Sequence, residues 1–340
     1  MANTTKPFDA VLLISFGGPE GMDDIRPFLR NVLRGRRIPD ARIDAVAKHY
    51  EMFGGVSPLR AITEKQASAL AARLKSEGVD LPVFIGMRNW HPFLDSTLKD
   101  MSRLGIKRVF GIILAAHHSY SSCGQYRRNI AEAQDALSVG GSADIELVYA
   151  PNWHTHPSFI AANVQQIQVA LKTLPQELGR DAALIFTAHS IPTSMANDCR
   201  YETELKESAR GIAERLGFED WHLVYQSRSG RPGDPWLEPD ICDFLTDRAK
   251  AGLRAALLCP LGFVADHIEV LYDLDYEAKN VSKNLGLAMA RAAAVNDHPE
   301  FVGMLADLTL QAYANGRRSR VLPIVSQATT PRVEGPPPER

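Results

Sequence analysis

Two segments of the chain set proton-transferring and metal-ligating side chains at the ends of β-like runs. In Thr187-Ala188-His189-Ser190-Ile191-Pro192 a histidine follows an apolar run, where a strand of a parallel sheet would hand over to a loop. An imidazole there can act as a base or as a ligand for a divalent cation. A hydrogen-bonded structural histidine fits the same place, and position alone does not choose between them. The second segment runs from Cys259 to Glu277 and carries Glu269, Asp273 and Glu277 at spacing i, i+4, i+8. On an α-helix these drift by only about 40° per step, and they align better if the winding is π. A solvated acidic face is the ordinary source of such spacing. Here Phe263, Val264, Ile268, Val270 and Leu271 flank Glu269, so its carboxylate is expected beside a packed wall. Set opposite an imidazole, it suits cation binding and proton transfer together.

Positioning such groups requires a rigid frame. Apolar, β-rich runs at 10–16, 83–87, 108–115, 145–149, 183–187, 222–226 and 255–260 alternate with helical patterns, among them 63–74 and 159–174. That alternation predicts an α/β fold of parallel sheets covered on both faces, with ligands at the carboxyl ends of the strands. Turn residues interrupt the series at Ala150-Pro151-Asn152-Trp153-His154-Thr155-His156-Pro157, which divides an α/β domain at 8–152 from a second at 153–315. The final helix of the second is expected to pack back on the first. The strand ends Leu12-Leu13-Ile14-Ser15-Phe16-Gly17-Gly18-Pro19 and Leu184-Ile185-Phe186-Thr187-Ala188-His189-Ser190-Ile191-Pro192 look alike, which suggests two similar doubly wound halves. The segment 316–340 is basic and Pro-rich and is expected to be disordered.

Composition removes several classes of function. The 340 residues carry 38 Lys+Arg against 40 Asp+Glu, a net charge of −2, which argues against nucleic acid as a partner. Apolar stretches such as 109–116 fall far short of the roughly 20 residues a membrane-spanning helix needs. The first residues lack the apolar core and cleavage site of a signal peptide, so a cytoplasmic location is expected. Cys123, Cys199, Cys242 and Cys259 stand 76, 43 and 17 residues apart, which reads as reduced thiols and neither a zinc motif nor a disulfide framework. The turn Gly17-Gly18-Pro19-Glu20-Gly21 lacks the glycine spacing of a dinucleotide site, and no phosphate-loop, zincin or nucleophile-elbow motif occurs.

Taken in order, Ser15-Phe16-Gly17-Gly18-Pro19, His49-Tyr50 with Phe53-Gly54-Gly55-Val56-Ser57-Pro58, Tyr120-Ser121-Ser122-Cys123-Gly124-Gln125-Tyr126, Phe186 to Pro192, Gln226-Ser227-Arg228-Ser229-Gly230, Pro235-Trp236-Leu237-Glu238-Pro239-Asp240 and Gly262 to Glu269 resemble the ferrochelatase family. The likeness is greatest to the coproporphyrin III ferrochelatases of Gram-positive and related bacteria. The resemblance implies a two-domain chelatase fold with a porphyrin cleft between the halves. It also implies insertion of Fe²⁺ into coproporphyrin III in haem biosynthesis, with the iron a substrate and no prosthetic group. Protoporphyrin IX is the alternative substrate, and a porphyrin or haem carrier without catalysis is the rival from another class. The resemblance carries the iron-binding and catalytic pair onto His189 and Glu269, a metal or proton relay onto Asp273 and Glu277, and porphyrin contacts onto Phe16, His49, Tyr50, Ser57 and Tyr126. A transient partner enzyme of the haem pathway would receive the product.

Three departures bear on what is carried over. Some actinobacterial relatives hold a [2Fe–2S] cluster through C-terminal cysteines, whereas no cysteine follows Cys259 here, so no cluster is expected. Arg88-Asn89-Trp90 replaces a segment where many relatives have histidine, and a metal-delivery role tied to it is not transferred. Phe16 stands where some relatives carry Tyr, which removes any phenolate ligand to iron at that place.

Overall fold

Apolar runs of four to seven residues form the strands β1 (Ala10–Ser15), β2 (Val83–Met87), β3 (Arg108–Ile113), β4 (Glu146–Tyr149), β5 (Ala183–His189), β6 (Trp221–Gln226), β7 (Ala255–Cys259) and β8 (Ala288–Arg291) in a computed structural model of the protein. It describes residues 6–35, 39–140, 144–179, 181–229 and 233–316. Every residue of β1 and of β7 is buried, as befits parallel strands covered on both faces. The strands make two four-stranded sheets, in the orders β2-β1-β3-β4 and β6-β5-β7-β8, with all named pairings parallel. The second order repeats the first, and β1 and β5, whose ends look alike in sequence, hold equivalent places. The α/β expectation of two similar halves is met. β8 was not anticipated: Ala288-Met289-Ala290-Arg291 has no β-branched residue, and only its pairing with β7 makes it a strand.

The helix Leu59–Ser76 encloses the expected 63–74 pattern, and Pro157–Leu171 ends three residues before the expected 174. Pro157 opens the latter at a position where its missing N–H costs nothing, and the His156 side chain accepts from the Ser158 N–H. The turn-rich segment 150–157 lies between β4 and this helix.

One continuous apolar core joins the halves, from Phe8, Val11 and Leu70 to Phe186, Leu257 and Phe301. The helix Pro299–Asn315 packs on both Leu59–Ser76 and Pro157–Leu171, so the last helix bridges the two sheets. A polar tie adds to this. Glu204, on the helix Tyr201–Leu216, is 1% exposed and accepts from the backbone N–H of His118 at 2.7 Å and from Asn152 at 3.0 Å, both in the first half. The stretch 317–340, expected to be disordered, lies outside the described residues. Among the described residues no helix is long and apolar enough to cross a membrane.

Candidate active site

His189 is the last residue of β5, and Glu269 lies in the first turn of the helical segment that starts at Ile268 after β7, the strand beside β5. Gly262 makes the approach of the two loops possible. A Cβ there would lie 2.7 Å from Ala188 Cα, and its N–H donates to the Thr187 carbonyl at 3.0 Å. The loop therefore leaves β7 hard against the end of β5, and His189 Nε2 comes within 3.7 Å of Glu269 Oε2. Both side chains are about one third exposed, at 33% and 34%. His189 Nδ1 faces the Ser190 carbonyl, an acceptor only, so Nδ1 donates there and Nε2 is the ring nitrogen turned toward Glu269. The buried Tyr201 hydroxyl donates to the His189 carbonyl at 3.1 Å and fixes the backbone beneath the ring.

His267 stands on the other side of Glu269, its Nε2 3.9 Å from Oε2. Burial lowers its pKa, and its Nδ1 has no hydrogen-bond partner among the described residues. Its ring packs on Phe263 with centroids 4.9 Å apart. Glu269 thus sits between two imidazoles, against the apolar wall expected from its neighbours.

Beyond Glu269 the chain winds as a π-helix over Leu271–Ala278, the winding under which the acidic line aligns better. Asp273 lies on it and accepts from Gln226 Nε2 at 3.1 Å and from the Ser227 hydroxyl, both at the end of β6. Burial pushes the Asp273 carboxyl up to about 7 despite those donors, and the nearby Glu269 adds to the rise. Glu277 is raised too, first by burial, with a hydrogen bond from Tyr272 opposing. Asp273 is half-buried and tied to β6, whereas Glu277 is exposed to solvent at the outer end of the line.

The residues expected at a porphyrin lie on the first half and divide into two sets. Phe16 follows β1 directly and meets Phe28 edge-on at 6.2 Å, while His49 is half-buried with its ring stacked on Tyr272 of the π-helix at 3.6 Å and an interplanar angle of 6°. Tyr50, Ser57 and Tyr126 are buried, each 6% exposed. Tyr50 packs on Phe28 at 5.7 Å, and burial, then Glu269, pushes its hydroxyl pKa well up. Ser57 donates its N–H to the Pro19 carbonyl at 2.8 Å, and its hydroxyl accepts from Leu59 N at 3.4 Å, which are turn and helix-start duties. Tyr126 lies in the core beneath the first sheet with Ile130 and Leu137.

An apolar cluster brings Phe28, Tyr50 and Trp90 of the first half against Ile268, with Phe16 and Leu271 packed around it. The wall beside Glu269 is therefore built by both halves. Gly17 allows this: at φ +89°, it lies where a Cβ would come 2.9 Å from Trp90 N. Sequence reasoning assigned no role to Tyr272, His267, Gln226 or Ser227. The last three lie in the quoted motifs, but Tyr272 gave no signal, since only folding carries it to His49.

The family model described as Ferrochelatase matches residues 8–313. A Ferrochelatase of Rhodopirellula baltica is 45% identical over 303 residues, covering 89% of this chain and 85% of that protein. A Coproporphyrin III ferrochelatase of Mycolicibacterium smegmatis is 45% identical over 304 residues, 88% of each chain. Among solved structures, SirB from Bacillus subtilis with Fe3+ shares the fold at a TM-score of 0.55 and 10% identity, covering 90% of this chain and 96% of that one.

Proposed function

The chain belongs to the ferrochelatase family, and from that premise we propose that it inserts Fe²⁺ into coproporphyrin III, with His189 and Glu269 as the iron-handling and proton-accepting pair. The observation that carries this is the 3.7 Å approach of His189 Nε2 to Glu269 Oε2 at the carboxyl ends of neighbouring strands. Metalation removes two pyrrole N–H protons while a divalent ion sheds water and enters the ring. An imidazole whose Nε2 faces a carboxylate offers, together with it, two groups at one place for the metal or for those protons. Asp273, whose pKa lies near neutrality, accepts and releases a proton at little cost, and Glu277 continues the line outward.

Coproporphyrin is favoured over protoporphyrin because the relatives at 43–45% identity that are named by substrate are coproporphyrin III ferrochelatases. The macrocycle would lie between the aromatic wall of the first half, with Phe16, His49 and Tyr50, and the His189–Glu269 pair. Tyr126 and Ser57, both buried, would reach it only at their edges. We also propose that the halves divide near 152, that the chain works in the cytoplasm and passes its product to a transient partner, and that it holds no iron–sulfur cluster. The four free cysteines are scattered across both halves, and purified protein is expected to contain no acid-labile sulfide.

Anaerobic incubation of the protein with Fe²⁺ and metal-free porphyrin, followed by its visible spectrum, tests the activity. Metalation with the higher kcat/KM on coproporphyrin III is expected. A higher value on protoporphyrin IX would move the substrate, and spectral shifts of bound porphyrin without metalation would replace the enzyme with a carrier.

A further inference from the structure

Arg291 ends β8, at the edge of the second sheet opposite β6. Its guanidinium makes a two-pronged pair with Asp275 of the π-helix, Nε to Oδ1 and Nη2 to Oδ2 both at 2.7 Å. Nη1 reaches Asp266 Oδ1 at 2.8 Å and the Ala292 carbonyl at 3.1 Å. Asp266 is held again by Asn296, which donates to Oδ2 at 2.8 Å and accepts the Asp266 N–H at 2.8 Å. Arg291 and Asp266 are 14% and 13% exposed, so the pair is shielded from solvent, unlike a surface bridge of little worth. A planar fork matched to a carboxylate fixes orientation as well as distance.

The placement of the two acids gives the network its meaning. Asp266 stands three residues before Glu269 and Asp275 six after it, so one guanidinium ties both flanks of the segment that presents Glu269. Asp273, two residues from Asp275, is held by Gln226 and Ser227 at the end of β6. The π-helix is thus gripped from both edges of the sheet, by β6 through Asp273 and by β8 through Asp275. Glu269 meets His189 between those grips.

We propose that Arg291 is a positioning residue for iron insertion: through Asp266 and Asp275 it sets where Glu269 stands relative to His189. It touches no substrate itself. This rests on Glu269 being the iron-handling carboxylate. A displacement of about 1 Å at such a centre can cost as much as a hundredfold in rate.

Steady-state kinetics of Arg291→Gln, Arg291→Lys and Asp275→Asn, with Fe²⁺ and porphyrin varied separately, test it. Arg291→Gln is expected to raise the KM for Fe²⁺ and lower kcat, together costing about tenfold or more in kcat/KM for iron, with the porphyrin KM within about twofold of wild type. Arg291→Lys restores the charge without the fork and should recover only part of the loss. Asp275→Asn, which leaves the Asp266 contact, should move the same constants in the same direction by less, and serves if Arg291→Gln does not fold. A fall in apparent kcat alone, with the iron KM unchanged in every folded variant, would mean fewer native molecules and would overturn the proposal. Failure of wild-type protein to metalate any porphyrin would instead sink the functional reading beneath it.

Discussion

The two sheets have one strand order, yet their central strands end in opposite chemistry. β1 runs out into Phe16 and Gly17, where an aromatic ring stands and a backbone at positive φ lets Trp90 close in. β5 runs out into His189, with Glu269, His267 and Asp273 gathered over it. A parallel sheet provides a rim at its carboxyl ends but does not choose what stands there. In this chain the first rim offers flat apolar surface and the second offers lone pairs and exchangeable protons. A planar substrate that must receive a metal from one face needs both, and needs them on opposite sides.

The division of labour is broken most severely at the second rim. His189→Ala is expected to lower the metalation rate by about 100-fold or more, and Glu269→Gln by a similar factor, the usual scale for removing a positioned base or ligand. Both side chains are a third exposed, so neither change should lower the melting temperature by more than a few degrees. Rates measured beside thermal melts would decide it: less than a tenfold loss in His189→Ala, about 1.4 kcal/mol of barrier, would make that histidine a structural residue after all.

Asp273→Asn should cost less, about tenfold in kcat, and it carries a signature in stability. The folded-state pKa of about 7 lies above the 3.8 of an ordinary aspartate, so the native state holds a proton that the unfolded chain has released between those two values. Wild-type stability contributed by this group therefore falls as pH rises from about 4 to 7. Asparagine has no charge to bury and can still accept from Gln226 and Ser227. The variant should melt higher than wild type at pH 8, and the difference should shrink toward pH 5. Equal differences at the two pH values would show that Asp273 does not hold its proton to higher pH in the folded state.

At the first rim the effects should fall on the porphyrin alone. His49→Ala removes one face of the stack on Tyr272, and aromatic contacts of this kind are worth about 0.5–1.5 kcal/mol. An increase of about fivefold in the porphyrin KM is expected, with the iron KM unchanged. A lower melting temperature with both constants unaltered would make the stack a clasp between the halves instead.

How much of this was readable before folding differs between the rims. His189 and the acidic line could be read because each rests on local spacing beside a strand, and the π-winding sharpened an alignment already present in the sequence. Seven strands stood out through apolar runs; β8 did not, because an Ala-Met-Ala-Arg tetrapeptide becomes a strand only by pairing with β7. The Arg291 clamp was invisible for the same reason, since its partners lie 16 and 25 residues away on other elements. Ser57 and Tyr126 were legible as motif members but not as buried side chains, which depends on packing from the whole first half. Side chains that act through distant contacts leave little trace in local spacing.

The smallest expected effect asks whether the first rim can be given the second rim's chemistry. Phe16 is half-buried, with its ring edge on Phe28, so Phe16→Tyr adds only a hydroxyl at a partly open place. If the ring faces the macrocycle from the side opposite His189, that hydroxyl becomes a potential oxygen ligand to iron in the product. Metal capture on the His189 side would be untouched, and kcat should stay within about twofold of wild type. The spectrum of the bound iron porphyrin should nevertheless change, because an axial oxygen donor alters the electronic state of the metal. Spectra of wild type and variant loaded with the same iron porphyrin would separate the cases. An altered spectrum at nearly constant turnover would show that the aromatic rim lies within axial reach and that its phenylalanine keeps the product free of a second protein ligand. Identical spectra would move Phe16 off the axial position and leave it a wall residue of the Phe28 cluster.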